Sequence, residues 1–478
     1  MRIACIHIPQ FALQCASRLD PALRGAPVVV VGGHDPTAGS ESRPFHLGPG
    51  RERSGPLHTP VVMACSRAAW ALGVRLGMTA AAARGRSPEL TIVTADPALE
   101  RETVRAIGDA ALGVCEAVDL GGRVGAGGAH LAMYCGVPVK TRGTTFGDRL
   151  LAMLEELGLT GRIGIADDRF TAWVAAAHGS ADEHGVTSVP RGGSAAFLSP
   201  RPLSLLAIPA EVQHMLEALG VRTLGEFAAL PAPSVHRPVE ADYQALARGE
   251  GGTALRGYVP EAPVREEIVV GGNVLDRADA VSGPTAIAMI ARRIELRLAG
   301  RARHAARLDV VAMPLTEGVS GALAHEVPVT LDEPTGEAEE LARALAPVLD
   351  APHGRATNDN ASRDAVIGSV NASRDAEIGS VHAWRLRVVV AAEAVPGAET
   401  VEIAAEGSAP VLDRPIADSG ATIHPLAVVL STPGSLFALS PPDLRAERRD
   451  AHRRTRRGKQ RRGRPTPISQ ARLFDRRS

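Results

Sequence analysis

A chain of 478 residues is too long for one compact core and implies about three or four domains, and a hydrophobic content of 45% leaves most of it able to fold. Its formal net charge of zero hides an asymmetry, because residues 445–478 hold fourteen Arg or Lys against three acids, a net of +11 that the rest of the chain balances at −11. No run of 18 or more apolar residues is present, His7, Pro9 and Gln10 interrupt any apolar leader, and five scattered cysteines form no Cys-x-x-Cys pair, so a soluble cytoplasmic protein without a membrane partner or disulfide framework is expected.

Arg2 to Ile8 and Val28 to Val31 are short, apolar, β-branched runs bounded by Pro and Gly, the pattern of buried strands. Residues 32–60 turn polar and aperiodic, as an exposed loop does. Val61 to Met78 reads as a strand running into a short helix that ends at Gly73, Leu90 to Val93 as a further strand, and Pro97 to Cys115 as a helix. Between Leu203 and Leu230 two short helical patterns flank Leu219 to Gly225, a helix-hairpin-helix pattern. Gly220 and Gly225 allow a tight turn, and backbone N–H groups around Arg222 and Thr223, at the start of the second helix, could face a DNA phosphate without reading bases. A plain αα-hairpin fits the same stretch.

Beyond a linker rich in Pro and Gly at Gly257 to Pro263, the periodicity sharpens. Glu267 to Gly271 is a strand, Ser282 to Leu298 a helix with Ile287, Ile290, Ala291, Ile294 and Leu298 on one face, and Ala306 to Met313 a strand. A second cycle follows: strand His325 to Leu331, helix Gly336 to Leu349, strand Trp384 to Ala391. The sum is β-α-β-β-α-β, a four-stranded sheet with two helices on one face. Asn360 to Val370 is repeated at once as Asn371 to Val381, an 11-residue tandem duplication that enlarges a surface loop over residues 354–382 and implies no chemistry.

The basic tail, with Arg453, Arg454, Arg456, Arg457, Lys459, Arg461, Arg462 and Arg464, is an electrostatic footprint for nucleic-acid phosphates, since each phosphate neutralised releases counterions. A solvated tail that serves only solubility is the bland alternative. Near its end, Gln470 stands three positions before Leu473 and Phe474. Two adjacent apolar side chains can enter a greasy groove while the Gln amide hydrogen-bonds at the rim, so few residues supply the affinity. The segment resembles the pentapeptide with which bacterial DNA polymerases hold the sliding clamp.

Three stretches together resemble Y-family DNA polymerases: Arg2 to Phe11, Val61 to Met78, and Gly161 to Trp173. The resemblance covers about residues 1–395. It implies an α+β multidomain chain: palm and fingers at 1–175 (fingers about 15–85), a helix-hairpin-helix thumb at 176–256 and a little finger at 265–395. A C-terminal extension at 396–440 and a disordered basic tail at 441–478 follow.

Phosphoryl transfer by two metal ions needs bridging carboxylates, and the family's carboxylate positions are empty of acids here. The first-strand Asp corresponds to His7, the adjoining run Phe11 to Ala16 has no acid, and the Asp-Glu of the second motif corresponds to Gly127 and Gly128. On the substrate side, a Tyr and an Arg that hold the triphosphate correspond to Arg67 and Trp70, and a Lys to Trp173. Glu116 and Asp119 could substitute only if Gly121 to Gly128 looped out entirely, and His7 without a neighbouring acid makes a poor metal site. The expectation is therefore a branch of the family without catalysis, metal or cofactor, acting in damage-induced translesion synthesis. Its partners would be DNA, the sliding clamp, a DnaE-type error-prone polymerase and an ImuA-like, RecA-related protein. The alternative is an active low-fidelity polymerase.

Overall fold

The computed structural model describes residues 1–33, 60–125, 128–139, 141–179, 185–231, 238–271, 281–315, 325–350 and 383–395. Expectations for most of the 32–60 loop, for Gly127, for the duplicated loop at 354–382, for the extension at 396–440 and for the tail at 441–478 lie outside those residues.

β1 (Arg2–Ile8) is buried from Ile3 onward and leads into α1 (Phe11–Leu19). β2 (Val28–Gly33) pairs antiparallel with β3 (Pro60–Cys65). The short helices α2 (Arg67–Ala71) and α3 (Ala80–Arg84) begin on the hydroxyl caps Ser66 and Thr79. β4 (Thr91–Thr94) then joins β2 in parallel. This small sheet, in the order β3-β2-β4, reaches residue 94, past the expected limit near 85, because β4 fills its open edge.

α4 (Pro97–Leu112) starts on Asp96, whose carboxylate accepts the Ala98 and Leu99 N–H groups, and ends before the expected Cys115. β5 (Val118–Val124), β6 (His130–Val137), α5 (Gly143–Glu156), β7 (Arg162–Ala166), α6 (Arg169–His178) and β8 (Val186–Ser188) complete a five-stranded sheet of order β5-β6-β1-β7-β8. Val104, Ile107, Phe146 and Leu150 bring α4 and α5 onto one face; Phe170 and Trp173 bring α6 onto the other. Each such side chain contributes about 1.5–3 kcal/mol by leaving water. Contact between α6 and β7 is so close that a Cβ on Gly164 would lie 2.1 Å from the Ala172 carbonyl oxygen. The expected boundary at 175/176 therefore cuts through a helix that belongs to this sheet.

α7 (Ser194–Leu198), α8 (Ala210–Ala218), α9 (Leu224–Ala228) and α10 (Pro238–Ala247) form the helical segment, buried through Leu216, Leu224, Phe227 and Tyr243. The chain then returns to the first sheet: Arg169 N–H donates to the Gly252 carbonyl at 3.1 Å, and Tyr258 N–H to that of Val118 at 2.8 Å. Residues 252–256, expected to close the helical segment, pack with the five-stranded sheet instead.

β9 (Val264–Gly271), α11 (Gly283–Arg301), β10 (Arg303–Pro314), β11 (His325–Thr335), α12 (Ala338–Asp350) and β12 (Ala383–Ala394) give the expected β-α-β-β-α-β order and a sheet β11-β10-β12-β9. Both helices pack on one face, where Ile290, Ile294 and Leu298 meet Leu308, Val310 and Val388. The strands exceed the apolar runs that mark them, because ladder pairing recruits flanking polar residues such as Arg303 opposite Ala394.

A buried ionic cluster fixes this second unit to the first. Arg297 of α11, with a fully buried side chain, bonds Asp109 of α4 at 2.8 Å, Glu102 of α4 at 2.8 Å and Glu266 of β9 at 3.0 Å. Arg301 adds a second contact to Asp109 at 2.8 Å, and Arg18 of α1 pairs with Glu266. The two helices nearly touch here, since a Cβ on Gly300 would lie 1.8 Å from the Asp109 carbonyl oxygen. Removing one partner of a buried ion cluster strands the others, at a cost of about 3–5 kcal/mol. Arg297→Ala should lower stability to urea by that amount; a loss below about 1 kcal/mol would show that the cluster is not what joins the units.

Candidate functional site

The middle of the five-stranded sheet is where the sequence directs attention. His7 lies on β1 between Ala132 of β6 and Arg162 of β7, and only 4% of it is exposed. Its ring stacks on that of His130, with centroids 5.3 Å apart and planes inclined by 25°. His130 Nδ1 accepts the Gln10 N–H at 3.3 Å, whereas neither ring nitrogen of His7 has a hydrogen-bond partner among the described residues. Gln10 itself takes the left-handed conformation, φ 49°, to start α1.

Burial drives both imidazoles toward the neutral form. His7 is held well below the usual histidine range by burial first, then by His130, His178 and Arg162. Burial, aided by Arg123 and His178, pushes His130 down to about 4. The neighbours that act on His7 are bases, of which Arg162 carries a fixed positive charge. Among the described residues, no group of three or more His, Cys, Asp or Glu could hold a metal ion. Magnesium needs oxygen ligands, chiefly carboxylates, and this donor set does not fit it.

Gly128 sits in the turn between β5 and β6 with φ +65°, and its N–H donates to the Gly125 carbonyl at 3.0 Å. Gly127 is outside the described residues. The stretch from Gly122 to Val124 is not looped out; it pairs with β6 as Gly122–Ala132, Arg123–Leu131 and Val124–His130. Asp119 is therefore kept away from His7, one side of the rung Asp119–Tyr134–Cys5 rather than of Gly122–Ala132–His7. Those rungs are two residues apart on β1, or about 6–7 Å.

Asp119 is also fully engaged. It accepts from the Arg169 guanidinium at 2.6 Å, from Arg256 N–H at 3.0 Å and from Gly121 N–H at 2.9 Å. A β-bulge between Asp119 and Gly122 makes this possible, with Gly121 at φ +59°. A Cβ there would lie 1.8 Å from the Ala132 carbonyl oxygen, so only glycine fits. Arg169 in turn lies over the Tyr134 ring at 4.2 Å and donates to the Ala254 carbonyl at 2.7 Å. Asp119 thus ties the returning linker to the sheet. Glu116 is exposed in the turn before β5.

Arg67 and Trp70 stand on α2, where Arg75 covers the Trp70 ring at 4.1 Å. Trp173 is buried on α6, between Phe170 at 5.9 Å and His178 at 5.8 Å, with its indole N–H unpaired. The indole has no charge to offer a phosphate.

The helical hairpin exists, but its expected phosphate donors are occupied. Glu226 closes a capping box on Thr223, and its carboxylate accepts the N–H groups of Arg222 at 2.7 Å and Thr223 at 2.9 Å. Leu224 and Gly225 N–H donate to the carbonyls of Arg201 and Ser199, and Gly220 N–H to that of Glu217. Gly225 is required by its neighbour, since a Cβ there would meet Ser199 Oγ at 2.1 Å. The reading in which these N–H groups face a phosphate is corrected: a cap, and not an anion, satisfies the helix start. The tail residues from Arg453 to Arg464, and Gln470, Leu473 and Phe474, lie outside the described residues.

Residues 6–119 match the impB/mucB/samB family. A curated relative, DNA polymerase IV of Dehalococcoides mccartyi, is 38% identical over 78 residues, 16% of this chain and 20% of the relative. DNA polymerase IV of another strain is 35% identical over 91 residues, 18% of this chain and 23% of the relative. The chain thus spans about a fifth of the length of the curated relatives it matches. Among solved structures, DinB from Sulfolobus solfataricus is 12% identical, with a TM-score of 0.40 over 82% of this chain and 99% of that one. An insertion ternary complex of Dbh DNA polymerase gives 12% and 0.41, with the same 82% and 99% coverage.

Between about pH 6.5, where unfolded imidazoles titrate, and about 4, where His130 takes up its proton in the fold, the unfolded chain binds more protons than the native one. Stability therefore falls as pH drops through that window, by ~3 kcal/mol from His130 alone. His130→Gln should flatten the fall between pH 7 and 4.5 in urea titrations; an unchanged pH dependence would mean that this imidazole is not buried neutral.

Proposed function

We propose that the chain is an ImuB-like, non-catalytic Y-family polymerase homologue that binds DNA and the sliding clamp and recruits a DnaE-type error-prone polymerase during SOS translesion synthesis and repair. The match over residues 6–119 supports the polymerase-like domain. The single observation that carries the rest is the rung His7–Ala132–Gly122, which holds no acid and is surrounded by bases. On this reading the described residues of the rung offer no carboxylate to bridge two cations between a nucleophilic oxygen and a leaving pyrophosphate.

What remains for such a body is adhesion. Gln470, Leu473 and Phe474 would grip the clamp, and the run from Arg453 to Arg464 would neutralise phosphates without reading sequence. A tether of this kind raises the local concentration of the whole body at a stalled clamp, so that weak contacts to DNA, to the partner polymerase and to an ImuA-like, RecA-related protein act together. At the hairpin, the exposed Arg222 side chain, not the backbone, is the group left to meet phosphate.

A second reading, an active low-fidelity polymerase, is favoured by the name of the two curated relatives. It would have to recruit Asp119 away from Arg169, Arg256 and Gly121. Capture on immobilised clamp tests the proposal at its most specific point. Gln470→Ala combined with Leu473→Ala and Phe474→Ala should abolish capture while leaving DNA binding in place; capture unaffected by the triple change would contradict the tether.

A further inference from the structure

A pocket of about 210 Å³ opens beside the bulge of β5, between α4 and the linker that returns to the sheet. Its floor is apolar, made by Val104, Leu120 and the Tyr258 ring. The ring is held in place: its hydroxyl donates to Asp109 at 2.9 Å, and a Cβ on Gly108 would lie 2.9 Å from its edge, so it lies flat on α4. Val259, 71% exposed, stands at the mouth as an uncovered apolar side chain. Around it are Arg101 of α4 and Arg256 of the linker, both exposed and, among the described residues, in no ion pair or side-chain hydrogen bond, whereas Arg105 is paired with Glu102 and the lining carboxylate Asp119 with Arg169.

Size, lining and charge together narrow the occupant. Pockets that hold drug-sized ligands or cofactors run from about 300 Å³ upward, so this one is too small for a nucleotide. A dry cavity of about 150 Å³ admits benzene, so a single aromatic or leucine side chain fits. These two guanidinium groups at the rim, without an acid among the described residues, call for carboxylates on either side of that anchor. A DNA strand would supply phosphates to the rim but nothing apolar for the floor.

We propose that this pocket docks a partner protein through a short acidic segment carrying one aromatic or leucine anchor. The surface rests on the hub reading above, for which it supplies the point of contact with a recruited protein. Its shape is preset, because the wall formed by Tyr258 is fixed through Asp109 to the ionic cluster that joins the two sheets, so little ordering is needed on binding.

The test uses the full chain and fluorescein-labelled pentapeptides read by anisotropy. The probe Asp-Glu-Phe-Glu-Asp should bind saturably, and its Ala-centred counterpart should bind at least about tenfold more weakly. Arg101→Glu combined with Arg256→Glu, or Val259→Glu alone, should each weaken the probe by about tenfold or more. These side chains are exposed, and circular dichroism would confirm that each variant folds. No binding of the probe, equal binding of the Ala-centred peptide, or variants without effect would overturn the proposal. Displacement of the probe by single-stranded oligothymidine would overturn it as well, by giving the arginines to DNA. Clamp capture, measured on the same preparations, fails only if the hub reading itself is wrong, so the two failures are distinguishable.

Discussion

Three carboxylates from two distant elements converge on one fully buried guanidinium, Arg297, and the arrangement of the molecule depends on that convergence. Glu102 and Asp109 come from α4, under the five-stranded sheet, and Glu266 from the first strand of the four-stranded one. Buried charges are expensive unless every partner is present, so the cluster allows one docking of the two sheets and penalises others. Through Asp109 it also sets Tyr258, and through Tyr258 the course of the linker. Sheet, linker and second sheet are thereby a single electrostatic unit.

Within that unit, acidic side chains serve architecture. Asp119 holds Arg169 and the returning backbone, Asp168 caps α6, Asp96 caps α4, and Glu226 caps α9. None is free at the centre of the first sheet, where His7 and His130 stack as neutral rings. A buried pair of neutral imidazoles avoids the mutual repulsion that clustered carboxylates would bring without a metal to offset it.

The periodic parts of the chain were legible from sequence. The runs Arg2 to Ile8 and Val28 to Val31 became β1 and β2, and the apolar stripe Ile287, Ile290, Ile294 and Leu298 became the buried face of α11. Arg297 and Arg301 are also visible there at a spacing of four, yet nothing local marks Arg297 as buried or pairs either with an acid. Their shared partner Asp109, and Glu102 beside Arg297, lie nearly two hundred residues away. The partners of Asp119 and the stacking of His130 on His7 are hidden for the same reason, since the strand β5 is interrupted by glycines and its bulge conceals the register that decides which side chains meet. At the hairpin Gly220, at φ +90°, makes the turn that its sequence position implies, whereas Gly225 lies inside α9 against Ser199, and Glu226 completes a Thr-x-x-Glu capping signature.

The central claim is that the middle of the first sheet cannot support metal-dependent nucleotidyl transfer. Primer extension on a primed template with the purified full chain, run with magnesium and with manganese, tests it most directly. The account predicts no nucleotide addition above a protein-free control with either ion; addition that co-elutes with the chain and disappears with Asp119→Asn would contradict it.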